Sequence, residues 1–134
     1  MKITDLKPTI VWKFFHQVTQ VPRPSKKEGK MIEFLESFAK EYKIAIKKDE
    51  AGNLLMSKPA TPGMEDRPVV VLQSHMDMVC EKNNGTKHDF DNDPIETIVD
   101  GEWLRANGTT LGADNGIGVA AELALLASDE DRKS

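Results

Sequence analysis

Apolar residues at helical spacing predict two helices in the first third of the chain. In the first helix they recur every three or four positions, at Leu6, Ile10, Val11, Phe14, Phe15 and Val18. This period predicts an amphipathic helix over residues 8–20. Ser25 and Glu28 have the spacing of a capping box, in which each side chain satisfies a free backbone donor of the other residue. The sequence therefore predicts a second helix from this box to about Tyr42.

Short alternating segments predict two β-hairpins. Residues 44–47 and 54–58 flank a turn that contains Gly52 and Asn53, two residues suited to positive φ. Residues 95–99 and 102–105 flank the pair Asp100-Gly101, which is a strong hairpin signal. Together with the helices, these strands predict an α/β fold.

A continuous apolar run from Pro68 to Leu72 predicts a strand that is buried on both faces. His75 and Asp77 follow at its carboxyl end, where α/β sheets carry ligands and chemistry. Residues two apart on an extended chain project to the same side, so the two side chains can meet. The pair suits a metal ligand and the carboxylate that orients it. It equally suits a strand-end histidine paired with a local carboxylate and no metal.

A glycine-rich block over residues 108–118 precedes an apolar helix predicted over residues 119–127. The block lacks the Walker and dinucleotide patterns and centres instead on one acid, Asp114. Glycines allow a metal or another backbone segment to approach closely. Two interpretations stay open, a metal ligand and an aspartate that caps the turn.

The polar stretch between these features predicts a long, turn-rich loop over residues 81–94. Asp89, Asp91 and Asp93 have the alternation of a calcium loop, but Pro94 and Asp100 stand where an EF-hand needs glycine and glutamate. The pattern therefore argues against calcium. His88 in this loop could approach a substrate or could equally be a surface residue.

The composition of the chain argues against several classes of protein. The chain has 134 residues, of which 39% are hydrophobic and 30% charged, as in a globular protein with a real core. The net charge of −4 argues against a nucleic-acid partner. No apolar run is long enough to cross a membrane, and the first residues lack the apolar region of a signal peptide. With Cys80 as its single cysteine, the chain is expected to be cytoplasmic.

Four stretches of the chain together resemble the bacterial aminoacyl-histidine dipeptidases. They are Ser-His-Met-Asp-Met-Val from Ser74, Lys-Asn-Asn-Gly-Thr-Lys-His-Asp-Phe-Asp-Asn-Asp-Pro-Ile from Lys82, Asp-Gly-Glu-Trp from Asp100, and Gly-Thr-Thr-Leu-Gly-Ala-Asp-Asn-Gly-Ile-Gly from Gly108. These dipeptidases belong to the M20 clan of co-catalytic zinc metallopeptidases. The close likeness runs from Pro68 to Ala127, and a looser likeness includes Pro-Arg-Pro-Ser from Pro22.

The resemblance implies roles for three residues and a cofactor. His75 would ligate one of two zinc (Zn) ions, Asp77 would support catalysis by orienting His75, and Asp114 would bridge both metals. A cis peptide would follow Asp114. The substrate would be a dipeptide of the Xaa-His type, and the fold a three-layer α/β unit with a mixed sheet and flanking helices. Zinc lowers the pKa of bound water to about 7, and paired metals about 3.5–4 Å apart divide nucleophile and oxyanion between them.

Family members are several times longer than this chain. Further along they supply a general-base Glu, three more metal ligands and a lid-like domain. Residues 1–134 are therefore expected to be the N-terminal part of a catalytic domain and to be inactive alone. Its uncovered apolar surface predicts a dimer or larger assembly. The alternatives are another M20-type hydrolase, such as a tripeptidase or an N-deacylase, and a non-catalytic α/β binding domain.

Overall fold

Three helices and two β-hairpins follow a short 3₁₀ turn in the computed structural model, which describes residues 1–128. Residues 129–134 of the predicted 1–134 unit lie outside the described residues. The regular elements, in chain order, are α1 (Thr9–Thr19), α2 (Gly29–Glu41), β1 (Ala45–Lys48), β2 (Leu54–Ser57), β3 (Thr97–Asp100), β4 (Trp103–Ala106) and α3 (Ala113–Ala127).

The core lies where the three helices meet. Its buried members come from one face of each helix: Phe14, Phe15 and Val18 of α1, Met31, Leu35 and Phe38 of α2, and Val119, Ala120, Leu123 and Ala124 of α3. The rings of Phe14 and Phe38 pack edge to face, with centroids 5.5 Å apart. The predicted helix over residues 8–20 is confirmed, and α1 buries Phe14, Phe15 and Val18 of the predicted apolar stripe, whereas Ile10 is exposed.

The predicted capping box at Ser25 is wrong. Helix α2 begins at Gly29, and its N-cap residue Glu28 makes no side-chain cap hydrogen bond. Lys26 adopts a left-handed backbone with φ of 70°. The residues between Ser25 and Glu28 therefore lack the backbone geometry that a capping box needs. The Ser25 hydroxyl donates instead to Asp77, 52 residues away in the chain. A tertiary contact has therefore replaced the local one, although the helix ends near Tyr42 as predicted.

Both predicted hairpins are confirmed. Strand β1 pairs antiparallel with β2, and β3 pairs antiparallel with β4. Gly101 turns the second hairpin with a left-handed φ of 61°, a conformation that glycine adopts without a steric cost. The α/β class predicted from the sequence is confirmed. The β-sheets described in residues 1–128 are these two antiparallel hairpins.

The predicted buried strand from Pro68 is wrong for this chain. Residues 68–77 have no regular secondary structure. The exposed fractions of Val69, Val70, Val71 and Leu72 are 90%, 78%, 79% and 54%. A strand needs a hydrogen-bonded neighbour, and the strands described in residues 1–128 pair within their own hairpins. The apolar run therefore lies uncovered at the surface.

Helix α3 begins earlier than predicted, inside the glycine-rich block. Gly112 has a left-handed φ of 76° and precedes the first helical residue, Ala113. Asp114 and Asn115 then depart from helical geometry, with ψ values of 98° and 41°. The peptide bond between them is cis, as the resemblance implied. The block therefore forms an irregular first turn that presents Asp114 next to the segment carrying His75.

Candidate functional site

His75 lies between two carboxylates. Its Nδ1 is 3.0 Å from Oδ1 of Asp77, and its Nε2 is 3.1 Å from Oδ1 of Asp114. Asp77 is the local partner, two residues along the chain, whereas Asp114 comes from the start of α3, 39 residues away. The fold thus brings the three residues singled out from the sequence into one contiguous cluster.

The cluster is open to solvent on the side of Asp114. The Asp114 side chain is 99% exposed and the Asp77 side chain 32% exposed. A carboxylate has two oxygens that can each accept more than one interaction. Asp114 therefore has acceptor capacity beyond its contact with His75, directed to the surface rather than into the core.

Hydrogen bonding favours the charged forms of His75 and Asp77. The hydrogen bond to Asp114 is the largest cause of the raised pKa of His75; partial burial opposes it, and Asp77 adds to it. The hydrogen bond from the Ser25 hydroxyl is the largest cause of the lowered pKa of Asp77. Its Oγ lies 2.5 Å from Asp77 Oδ2. Asp77 is therefore an anion held from both sides, by a hydroxyl and by an imidazole.

A short parallel pairing of two extended backbone segments places Ser25 beside the Asp77 carboxylate. Pro24 and Met78 form an isolated parallel bridge, and the backbone N–H of Met78 donates to the carbonyl of Arg23 at 3.0 Å. Ser25 consequently lies beside Asp77. Sequence reasoning had assigned this serine to a helix cap and did not connect it with the site.

Arg23 is a second residue that sequence reasoning missed. It is only 1% exposed, and its guanidinium donates to the main-chain oxygens of Met76, Asp77 and Gly112. Burial lowers the pKa of Arg23 to about 10, against the opposing effect of Asp77, so the side chain still carries its charge at neutral pH. The signal available in the sequence was the Pro-Arg-Pro-Ser stretch, which entered only the looser likeness and assigned no role to Arg23.

Ser74 ties the other side of the segment to α3. Its hydroxyl donates to Oε2 of Glu122 at 2.7 Å. The residue before His75 is therefore anchored to the helix whose first turn carries Asp114. This contact was also not foreseen, because a serine and a glutamate 48 residues apart give no local pattern.

The residues present fit part of a metal centre. Imidazole nitrogen and carboxylate oxygen are both zinc ligands, and two ligand atoms of a tetrahedral zinc lie about 3.4 Å apart. The Nε2 of His75 and Oδ1 of Asp114 are 3.1 Å apart, close to that separation. The Nδ1 of His75 faces a carboxylate, as is usual for a metal-bound histidine. Within residues 1–128, however, no group of three or more His, Cys, Asp or Glu side chains could hold a metal.

The acidic loop after the site uses its carboxylates to build turns. Asp89 accepts hydrogen bonds from the backbone N–H of Asp91 at 2.9 Å and from the Asn92 side chain at 2.7 Å. Asp93 in turn accepts from the backbone N–H of Asp89. His88 is half-buried and packs edge to face on Phe90, with ring centroids 4.5 Å apart. His88 therefore packs within its own loop, and its Nε2 is buried without a hydrogen-bond partner in residues 1–128.

No helix in the described part of the chain is long and apolar enough to span a membrane.

Comparison with known proteins identifies similar chains. No protein-family model matches this chain. It is 49% identical, over 128 residues and 96% of its length, to the cytosol non-specific dipeptidase of Escherichia coli (strain K12). It spans 26% of that relative.

Two solved structures share the fold. One is the aminoacylhistidine dipeptidase of Vibrio alginolyticus, with a TM-score of 0.94 and 49% identity, covering 97% of this chain and 26% of that one. The other is a tripeptidase of Staphylococcus aureus, with a TM-score of 0.73 and 22% identity, covering 92% of this chain and 32% of that one. At 22% identity the tripeptidase shows the fold alone. The resemblance predicted from the sequence is confirmed by the first structure and by the Escherichia coli relative.

Proposed function

We propose that this chain forms the N-terminal part of the catalytic domain of a two-zinc dipeptidase of the M20 type. The chain spans about a quarter of the relatives it matches, at 26% of each. In this proposal His75 and Asp114 are zinc ligands, and Asp77 orients His75. The observation that carries it is the placement of His75 between Asp77 and Asp114, at 3.0 and 3.1 Å.

Two zinc ions, when bound, would supply an activated water and a cation to stabilise the oxyanion of peptide hydrolysis. The residues of this chain would prepare that centre. With zinc bound, Asp77 would accept a hydrogen bond from Nδ1–H of His75, so that the lone pair of Nε2 would be directed to the metal. Ser25 holds Asp77 by its second oxygen, so that the carboxylate cannot rotate away. Asp114, with two carboxylate oxygens at the surface of the cluster, is the group suited to bridge two ions.

The proposed substrates are unblocked dipeptides, including those with a C-terminal histidine. The names of the Escherichia coli and Vibrio alginolyticus relatives support this class, one as a non-specific dipeptidase and one as an aminoacylhistidine dipeptidase. The proposed location is the cytoplasm, in keeping with the word cytosol in the first of those names.

The 134-residue chain alone is proposed to be inactive. A catalytic zinc uses three protein ligands. Residues 1–128 contain no group of three or more His, Cys, Asp or Glu side chains that could hold a metal, which supports this proposal. The chain alone is also proposed to self-associate, through the exposed apolar run of Val69–Leu72.

Zinc content and peptide hydrolysis test the proposal in the longer protein. Purified protein should hold about two zinc ions per chain and lose activity when they are chelated. The variant Asp114→Asn keeps the size of the side chain but weakens a bridging ligand, so both zinc content and dipeptide hydrolysis should fall. A matched control is Asp66→Asn, an exposed carboxylate in the loop before residue 68. Full activity in Asp114→Asn would refute the assigned bridge.

Two alternative functions give different results in the same assays. An N-deacylase of the same type would hydrolyse N-acyl amino acids in preference to dipeptides, and a tripeptidase would prefer tripeptides. A non-catalytic α/β binding domain would hold little zinc and hydrolyse none of these compounds.

A further inference from the structure

The guanidinium of Arg23 links the two segments that carry the site. Its Nη1 donates to the carbonyl of Met76 at 3.2 Å and, at 3.4 Å, to that of Asp77. Its Nη2 donates to the carbonyl of Gly112 at 2.8 Å. Met76 and Asp77 directly follow His75, and Gly112 is two residues before Asp114. One side chain therefore fixes the distance between the backbone next to His75 and the backbone next to Asp114.

The glycine-rich block leaves room for this side chain. A Cβ placed on Gly112 would lie 2.5 Å from Nη2 of Arg23, and a Cβ placed on Gly116 would lie 2.7 Å from the same atom. Contacts under 3.0 Å require something to move. Two glycines of the block are thus explained by the passage of a buried arginine, and not only by access to Asp114.

We propose that Arg23 is a positioning residue for the metal centre, which sets the separation of His75 and Asp114. This inference rests on the proposed function. It goes beyond that function because it assigns a role to a residue that would touch neither metal nor substrate. A lone surface arginine could not act in this way, since its hydrogen bonds would compete with water. Arg23 is buried, and its guanidinium donates to main-chain oxygens of both segments.

The planar fork of a guanidinium is what allows this role. Arginine presents several N–H donors at fixed angles, so it can hold two segments at once in a set geometry. Lysine keeps the charge but concentrates it on one ammonium at the end of a flexible stem. Arg23→Lys should therefore keep the cation while losing the fixed spacing. This substitution separates positioning from mere charge balance.

The test measures zinc affinity of the longer protein by titration of the metal-free form with zinc alone. Three variants are compared at a temperature where circular dichroism shows each to be folded. They are Arg23→Lys, Gly116→Ala, whose new methyl would displace the guanidinium, and the control Arg105→Lys, at an exposed arginine paired with Asp100. Groups that orient metal ligands typically change metal affinity by about 10–100-fold when altered. That loss is expected in the first two variants and not in the control.

The outcomes separate this inference from the proposed function. A parent protein that binds no zinc refutes the proposed function itself. A parent that binds zinc, with unchanged affinity in folded Arg23→Lys, overturns the role of Arg23 and leaves the proposed function standing. If Arg23→Lys does not fold, Gly116→Ala decides alone: weakened binding supports the role and unchanged binding overturns it. Failure of both variants to fold would also overturn it, because Arg23 would then support the whole fold rather than the centre.

Discussion

The helical core and the segment leading to His75 contain the same kinds of apolar residue, but these residues are buried in the core and exposed in the segment. Val18 on α1 is completely buried, while Val70 before the site is largely exposed. A helix satisfies its backbone hydrogen bonds within itself, so α1 needs only a partner surface for its apolar stripe. A strand must find another strand for its backbone first. The comparison teaches that the core helices complete their backbone hydrogen bonds within themselves. The segment before His75 would need a neighbouring strand to do the same, and the strands described in residues 1–128 pair within their own hairpins.

The largest expected effect is on activity. Asp114→Ala in the longer protein should reduce dipeptide hydrolysis by at least about a thousandfold, as losses of a group that acts directly in catalysis do. The same change should leave the melting temperature of the metal-free protein nearly unchanged, because the side chain is almost fully exposed in residues 1–128. Steady-state kinetics and differential scanning calorimetry check the two parts. A large fall in melting temperature with retained activity would show that Asp114 belongs to the fold and not to the site.

A matched pair of valines measures the two regions directly. Val18→Ala removes two buried methyl groups from the core and should lower the free energy of unfolding by about 2–3 kcal/mol. Val70→Ala in the 134-residue chain should change it by no more than about 0.5 kcal/mol, as for most exposed positions. Urea denaturation followed by circular dichroism gives both values. Equal costs in the two variants would break the comparison.

The exposed run should also determine how the 134-residue chain associates. Val70→Lys places a charge in the middle of the apolar surface of Val69–Leu72, so it should shift the chain towards monomer. Analytical ultracentrifugation over a concentration series measures the change. The control is Leu55→Lys, an exposed apolar residue on β2 outside this run. Association that responds equally to both substitutions would place the contact elsewhere.

The smallest effect concerns pH and the first hairpin. The side-chain amide of Asn53 is the largest cause of the lowered pKa of Asp49, and backbone donors of the turn add to it. Because the folded pKa is lowered, this carboxylate stabilises the fold fully above its ordinary pKa of 3.8, and the contribution is lost as pH falls through the lowered value.

Asn53→Ala should move the pKa of Asp49 back towards its ordinary value. Carboxyl ¹³C shifts followed by NMR between pH 2 and pH 6 report the change. Glu50→Gln, at the next position in the turn, serves as the control and should leave the titration of Asp49 unaltered. An unchanged pKa in Asn53→Ala would mean that the backbone donors alone set it.

The sequence predicted the candidate site residues more fully than the residues that hold them in place. His75, Asp77 and Asp114 stand out in the sequence because their types and settings suit metal chemistry, and the structure brings them together. Arg23 and Ser25 carry no such signal. Their roles come from contacts with residues more than 50 positions away, which no local pattern encodes.

The sequence by itself determined the elements that local interactions can complete. These are α1 with its apolar stripe, the two hairpins with their turns, and the end of α2. Each closes its hydrogen bonds within a short stretch, so neighbouring residues contain the information. Tertiary structure alone decided where α2 begins, why the run from Val69 stays unpaired, and how a buried guanidinium joins the backbone beside His75 to the backbone beside Asp114. Those outcomes depend on which distant groups meet, and hydrogen-bond donors and acceptors are paired only once the chain has folded.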